Sequence, residues 1–459
     1  MRKDLDLLDS PIPGLVLRIA WPVSVGFFFH TMFNVADTWF AGRISTQAQA
    51  ALTLSFPVFF IIIATGSGFA TGATALIGSA LGAGNRDAAR EYTLQALGFA
   101  VIASVLLCAA GQLAAAPLFR LLGAEGEYLD ISLAYIRPLF WAAPAFLLLY
   151  MSNAVLNALG RTAPLRNFLM AGCLANLVLD PWFIFGGLGL PGMGVAGIAW
   201  ATALLQALGA AYIHIQARAT GLATPRSLGE LIPRPGPMRD ILVQGLPATL
   251  NSMTIALGIF VITWFVGRYG PAPVAAYGIA VRAEQIVLLP SIGLNTAVLS
   301  LAAQNFGAGN YDRIRATLRT CLVHGGWIMA LGGVVVYTLA GPLMRLFTDD
   351  PAVIAPGTDY LHVAALTLFS YIILFTHTAA LQGMRRPMFA IVIGVLRQAA
   401  APVVVFWLLS EYLGLGLGGI WWGIFCVNWS AAVVALGFAR WRIAADEARG
   451  RRPAPKSRP

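Results

Sequence analysis

The chain has 459 residues, 58% of them hydrophobic and only 11% charged, with a formal net charge of +10. A soluble globular domain carries about 25% charged residues, so the composition excludes one and describes a polytopic membrane protein. The positive excess does not signal nucleic acid, because the arginines are spread over loops of one parity instead of forming a patch.

A hydrocarbon core of about 30 Å takes about 20 apolar residues per helix. Twelve runs meet that length: 15–41, 51–75, 92–116, 133–158, 166–187, 193–217, 240–266, 274–300, 317–342, 360–382, 388–411 and 415–438. Of the 30 Lys and Arg, 22 fall in the N-terminus, the even-numbered connections and the C-terminal segment. Arg43, Arg120, Arg137, Arg268 and Arg345 lie on the other side, and Arg18, Arg282 and Arg397 lie inside spans. Positive residues stay cytoplasmic, so both termini are expected inside. The basic end Arg449–Arg458 is expected beside anionic lipid. The chain has two lysines, Lys3 and Lys456, both terminal; a phosphate-binding loop needs a placed lysine, so the chain does not hydrolyse ATP. Cys108, Cys173, Cys321 and Cys426 are far apart and inside spans, which reads as packing, with neither disulfides nor metal.

The second half repeats the first. Trp21-Pro22 matches Leu246-Pro247, Thr38-Trp-Phe-Ala-Gly-Arg43 matches Thr263-Trp-Phe-Val-Gly-Arg268, and Gly82-Ala-Gly-Asn85 matches Gly307-Ala-Gly-Asn310, all at an offset of 225. Pro117–Leu121 matches Pro342–Leu346 at the same offset; Gly160 is matched to Gly383 at 223, and Gly197–Trp200 to Gly419–Trp422 at 222. Six spans per copy give both copies one orientation, the parallel repeat of secondary transporters. The expected architecture is all-α, with twelve transmembrane helices in two pseudo-symmetric six-helix bundles. The expected division is 1–217 for the first lobe, 218–239 for a cytoplasmic linker with four prolines, 240–440 for the second lobe and 441–459 for a basic tail.

Pro22 removes a backbone hydrogen bond from the first span, which is expected to kink there. His30, Asn34 and Asp37 share one helical face by their spacing. Burying a carboxylate at the membrane centre costs at least about 2.5 kcal/mol, so Asp37 is a functional candidate. In span five, Asn176 and Asp180 stand one turn apart, and Thr202 follows in span six. At about 1.5 Å per residue, Asp37, Asp180 and Thr202 all lie within roughly 6–14 Å of the outer boundary. Such a set can hold a proton or Na⁺. The repeat supplies an internal control: Ile259, Ile262, Ala399, Val403 and Ile424 stand where the first copy has Asn34, Asp37, Asn176, Asp180 and Thr202. Groups that only held the fold would be needed in both copies.

In the second copy, Glu284 is the one acid inside a span. It is expected either to pair with Arg397 in span eleven or to face an aqueous cleft. His30 is expected to be a packed, hydrogen-bonded residue before a ligand. Trp407, Trp421, Trp422 and Trp429 are read as interface or packing residues.

Taken together, these residues resemble the MATE (multidrug and toxic compound extrusion) family. The carriers are Trp21-Pro22, Asn34-x-x-Asp37 with Gly42-Arg43, the two Gly-Ala-Gly-Asn turns, Asn176-x-x-x-Asp180-Pro181 and Gly197-Ile-Ala-x-x-Thr202. The resemblance covers about residues 10–440. It implies two bundles around a central cleft that rock between outward- and inward-facing states. It also implies export of amphipathic, often cationic small molecules against H⁺ or Na⁺. By position, Asp37, Asn176, Asp180 and Thr202 match the first-lobe cation site of the DinF-like branch, and Pro22 matches the proline at which the first helix bends. Span ten has no acid apart from Asp359 at its edge, which argues against a second-lobe Na⁺ site of the NorM-like kind and favours H⁺. The implied protein needs no cofactor, acts as a monomer in the lipid bilayer and is not an enzyme. A flippase for lipid-linked or polysaccharide precursors is the alternative, and it predicts a basic cleft.

Overall fold

The structure is a computed structural model that describes residues 5–187, 189 and 191–450. Lys3, Lys456 and residues 451–459 of the basic tail lie outside the described residues.

The first copy forms α1 (Ile12–Ile44), α2 (Thr46–Gly82), α3 (Arg86–Leu121), α4 (Gly126–Trp141), α5 (Ala143–Ala158), α6 (Ala163–Phe185) and α7 (Val195–Arg218). The second forms α8 (Pro235–Gly267), α9 (Pro271–Gly307), α10 (Tyr311–Thr338), a short α11 (Ala340–Arg345) and α12 (Pro351–Gly383). One further span, Met388–Tyr412, contains α13 (Met388–Val395) and α14 (Ala401–Phe406), and α15 (Gly416–Gly450) closes the chain. Among the described residues, eleven helical segments are long and apolar enough to cross a membrane, and α4 with α5 makes a twelfth.

That twelfth span is longer than the apolar run 133–158 and is bent by 46°. The bend falls at Ala142, just before Pro144, whose missing N–H cannot continue the helical ladder. Pro22 sits inside the helix Ile12–Ile44. The span Met388–Tyr412 carries π-helical turns at Leu396–Ala400 and Trp407–Tyr412, which no periodicity in the sequence announces.

The Gly-Ala-Gly-Asn segments are turns, as their composition demands. Gly84 and Gly309 take φ of +72° and +73°, a conformation costly for any side chain. Asn85 then caps α3, its Oδ1 accepting from the Ala88 N–H at 2.9 Å. The α12–α13 turn corrects one sequence match. Gly160 and Arg161 donate N–H bonds to Asn157 and Leu156, and Arg385 and Arg386 donate the same pair to Gln382 and Leu381. The partner of Gly160 (φ +71°) is therefore Arg385 (φ +61°), and the offset stays 225 instead of falling to 223 at Gly383.

Two compact units result. The first holds Val25–Leu81 and Asn85–Thr249, where α3 packs on α4 and α5, and α7 packs on α4, α5 and α6. The second holds Leu5–Ser24, Gly82–Gly84 and the chain from Leu250 on, with α12 packed against α9, α10 and α15. In the second unit Trp421 is a fully buried packing residue between Tyr277 and Tyr360.

Candidate ion-coupling site in the first unit

Three helices of the first unit bring the polar set together. Asp37 comes from α1, Asn176 and Asp180 from α6, and Thr202 from α7. All four are buried, with exposures of 6%, 0%, 0% and 4% in that order. The Asn176 side-chain N–H donates to Asp37 Oδ1 at 3.0 Å. Asp180 and Thr202 both adjoin the Asp37 carboxylate.

Local sequence explains the placement. One turn of α6 separates Asn176 from Asp180, so both face α1. Pro181 follows at once and lacks an N–H, which weakens the ladder in the last turn of α6. Gly197 lets the start of α7 press on the end of α6: a Cβ there would lie 2.6 Å from the Phe183 carbonyl carbon. Gly419 does the same against Leu409 at 2.7 Å in the second unit. The close approach therefore belongs to the repeat, whereas the polar groups belong to one copy.

The chemistry lies in what is unsatisfied. Both carboxylate oxygens of Asp180, the Thr202 hydroxyl oxygen and the Asn176 amide oxygen are buried without a hydrogen-bond partner among the described residues. Native proteins rarely leave such groups unpaired. Two buried carboxylates side by side are tolerated when a proton or a cation neutralises them. The donor set is all oxygen and hard, which suits a proton shared between carboxylates or a small cation such as Na⁺ equally well.

Not every predicted residue joins the pocket. Asn34 is exposed and donates its side-chain amide to the His30 carbonyl at 2.8 Å, one turn back on its own helix. The His30 ring meets Phe27 edge-on at 6.0 Å and makes no bond to the pocket. A residue the sequence did not single out is Tyr135 of α4, 7% exposed and within range of the charge of both carboxylates. A lone tyrosine in a span gives no signal of this, because its facing depends on the bend between α4 and α5.

The second unit holds a different polar cluster. Glu284 of α9 accepts from the Tyr360 hydroxyl at 2.5 Å, and Tyr371 adjoins it. Arg397 donates to Asn428 Oδ1 at 2.8 Å and stands 5.9 Å over the Tyr371 ring. Among the described residues no ion pair joins Glu284 to Arg397, and Tyr371 stands beside both groups. Arg397 lies in the first π-turn, which shifts it from the α-helical position its sequence number implies.

The family model of MatE matches this chain twice, over residues 22–182 and 247–408, in step with the repeat. The chain belongs to the MatE family. MatE proteins are transporters that need neither catalysis nor a cofactor. This MatE chain is 27% identical over 423 residues to the probable multidrug resistance protein NorM of Thermotoga maritima, covering 89% of this chain and 88% of that one. It is 28% identical over 438 residues to the multidrug export protein MepA of Staphylococcus aureus, covering 93% of each. A solved outward-facing structure of a multidrug resistance MATE family transporter superposes with a TM-score of 0.89 at 25% identity, covering 98% of this chain and 99% of that one.

Proposed function

We propose that this MatE protein is a secondary antiporter that exports amphipathic, cationic compounds by alternating access, coupled to inward H⁺ at Asp37 and Asp180. It would act as a monomer of the DinF-like branch in a bacterial inner membrane, with both termini cytoplasmic. The observation that carries the reading is the Asn176–Asp37 bond beside the unpartnered Asp180 and Thr202 oxygens, in one copy of a repeat whose twin is apolar there. The names of the NorM and MepA relatives support drug export.

The coupling logic follows from the geometry. A proton on the pair removes the repulsion between Asp37 and Asp180 and draws α1 toward α6. A bound ion shifts conformations only by its differential affinity for them. A hundredfold difference, about 2.7 kcal/mol, is enough to drive the exchange. Na⁺ on the same oxygens is the second ion the site admits. The flippase alternative predicts a basic cleft; of the span arginines Arg397 donates to Asn428, while Arg282 is exposed.

Efflux of a cationic dye from proteoliposomes tests the reading, with a pH gradient and a Na⁺ gradient imposed separately. Efflux driven by pH alone and lost in Asp37→Asn is the expected result. Efflux driven only by Na⁺ reassigns the ion, and a response to neither gradient defeats the antiport reading.

A further inference from the structure

Helix α10 is held along one stripe only. Cys321, Gly325, Met329 and Val336 are buried, whereas Trp327, Leu331 and Val334 are exposed, at 75%, 70% and 61%. The helix is long and apolar enough to cross a membrane. Exposed apolar residues on such a helix face lipid tails, which are as apolar as Leu.

Beside this face lies a groove, cut between α10 and α12 within the second unit. It has a volume of about 660 Å³ and an almost wholly apolar lining. Small residues make its floor: Gly326, Ala330 and Gly333 from α10 and Ala365 from α12. A Cβ on Gly333 would lie 3.1 Å from the Ala365 carbonyl oxygen, and one on Gly326 would lie 3.2 Å from the Phe369 ring. The two helices therefore run close, and the space above their contact is left open.

The ends of the groove are defined. Phe369 stands at one, its ring 6.3 Å from that of Trp429. Tyr337 stands at the other, its ring 4.4 Å from that of His362. From Gly326 to Thr338 the groove runs about 18 Å at 1.5 Å per residue. One leaflet of a 30 Å hydrocarbon core is about 15 Å deep. A partner helix would need a seat across the whole core, whereas this one stops near mid-span.

The repeat again supplies a control. At the offset of 225, Val101, Val105 and Cys108 of α3 stand where the second copy has Gly326, Ala330 and Gly333. Phe140 of α4 stands where it has Ala365. Phe140 is buried against Gly111, on which a Cβ would lie 2.1 Å from the ring. The first unit fills with its own side chains what the second leaves open, so the fold does not require the groove.

We infer that the α10–α12 groove is a lipid site, which holds one acyl chain of a phospholipid from the leaflet on the α11 side. Tyr337 and His362 then lie beside the glycerol and headgroup, the boundary level at which tyrosine rings collect. The chain supplies the apolar contact that Phe140 supplies in the first unit. The inference rests on the protein spanning a membrane and not on the antiport reading.

The test is photolabelling of the full-length protein in phosphatidylethanolamine and phosphatidylglycerol liposomes. The probe is a phosphatidylcholine with a diazirine on one acyl chain, and labelled peptides are mapped by mass spectrometry. Labelling of 326–338 and 362–369 should saturate with probe and exceed that of the equivalent exposed segment 101–113 at least fivefold. Ala330→Phe fills the groove from an exposed position, and Ala365→Phe installs the residue of the first copy. Each should bring the labelling to within twofold of 101–113. Equal labelling of the two segments in the wild type, or labelling that survives both substitutions, overturns the inference. Loss of the label on adding excess tetraphenylphosphonium also overturns it, since an amphipathic cation would then be the occupant. The wild-type comparison needs no variant, so it decides the matter even where a substituted protein fails to fold. No readout uses an ion gradient, so failure of the antiport reading leaves the result interpretable.

Discussion

Asn176 donates its amide to Asp37 across the α6–α1 interface while its own amide oxygen faces no donor. One side chain thus fixes the first carboxylate and offers an oxygen to whatever neutralises the pair. Asp180, one turn on, has neither oxygen partnered. The two carboxylates differ in what they lose when altered, and the predictions separate them.

Asn176→Ala removes the donor and leaves Asp37 buried without it. Hydrogen bonds to charged groups contribute about 1.5–3 kcal/mol, so ion-driven efflux should fall at least tenfold and thermal stability in detergent should drop. Asn176→Gln should recover stability better than efflux, because the amide is kept but displaced. Melting temperature and initial efflux rate, measured on the same preparations, check both statements.

Asp180→Asn alters a carboxylate neither of whose oxygens has a hydrogen-bond partner among the described residues in the unprotonated form. Removing an unpaired buried charge is neutral or stabilising. The melting temperature should hold or rise while ion-driven efflux is abolished. A variant that unfolds would mean Asp180 has a structural partner.

Thr202→Val keeps the shape of the side chain and removes its oxygen. Thr202→Ser keeps the oxygen. If the hydroxyl is a ligand for the ion, the valine variant should need at least tenfold more of the coupling ion for half-maximal efflux, and the serine variant should stay within twofold of wild type. Titration of efflux against external pH and against Na⁺ reads the shift directly.

Tyr360→Phe deprives Glu284 of the hydroxyl it accepts from at 2.5 Å. An unmade bond to a buried group costs about 1–3 kcal/mol, so the second unit should melt earlier. Glu284→Gln keeps an acceptor for Tyr360 and should change stability less. Neither should change the ion required for half-maximal efflux, because the proposed coupling site lies in the other unit. Limited proteolysis against temperature reports the first effect, and ion titration reports the second.

Much of this arrangement can be read from the residues. Twelve apolar runs and an offset that stays near 225 lead directly to duplicated bundles, and the contrast of Asp37 with Ile262 picks out the copy proposed to carry the coupling. Spacing also placed Asn176 and Asp180 on one face. What it could not supply were facings that depend on backbone irregularities. Asn34 shares a face with Asp37 by number, but its short amide finds the His30 carbonyl first. Arg397 fails to meet Glu284 because a π-turn displaces it and Asn428 receives it. Tyr135 comes within range of the carboxylates' charge from the bent fourth span.

The central claim is that ion binding at the Asp37–Asp180 pair and binding of a cationic substrate oppose one another through the conformations they favour. Proton release on substrate binding tests it most directly. Purified protein in weakly buffered detergent solution would be titrated with tetraphenylphosphonium while pH is followed with an indicator dye. The account predicts release of about one proton per bound cation near neutral pH, and none from Asp37→Asn or Asp180→Asn at equal occupancy. Binding without proton release in the wild type, or release that survives both substitutions, would contradict it.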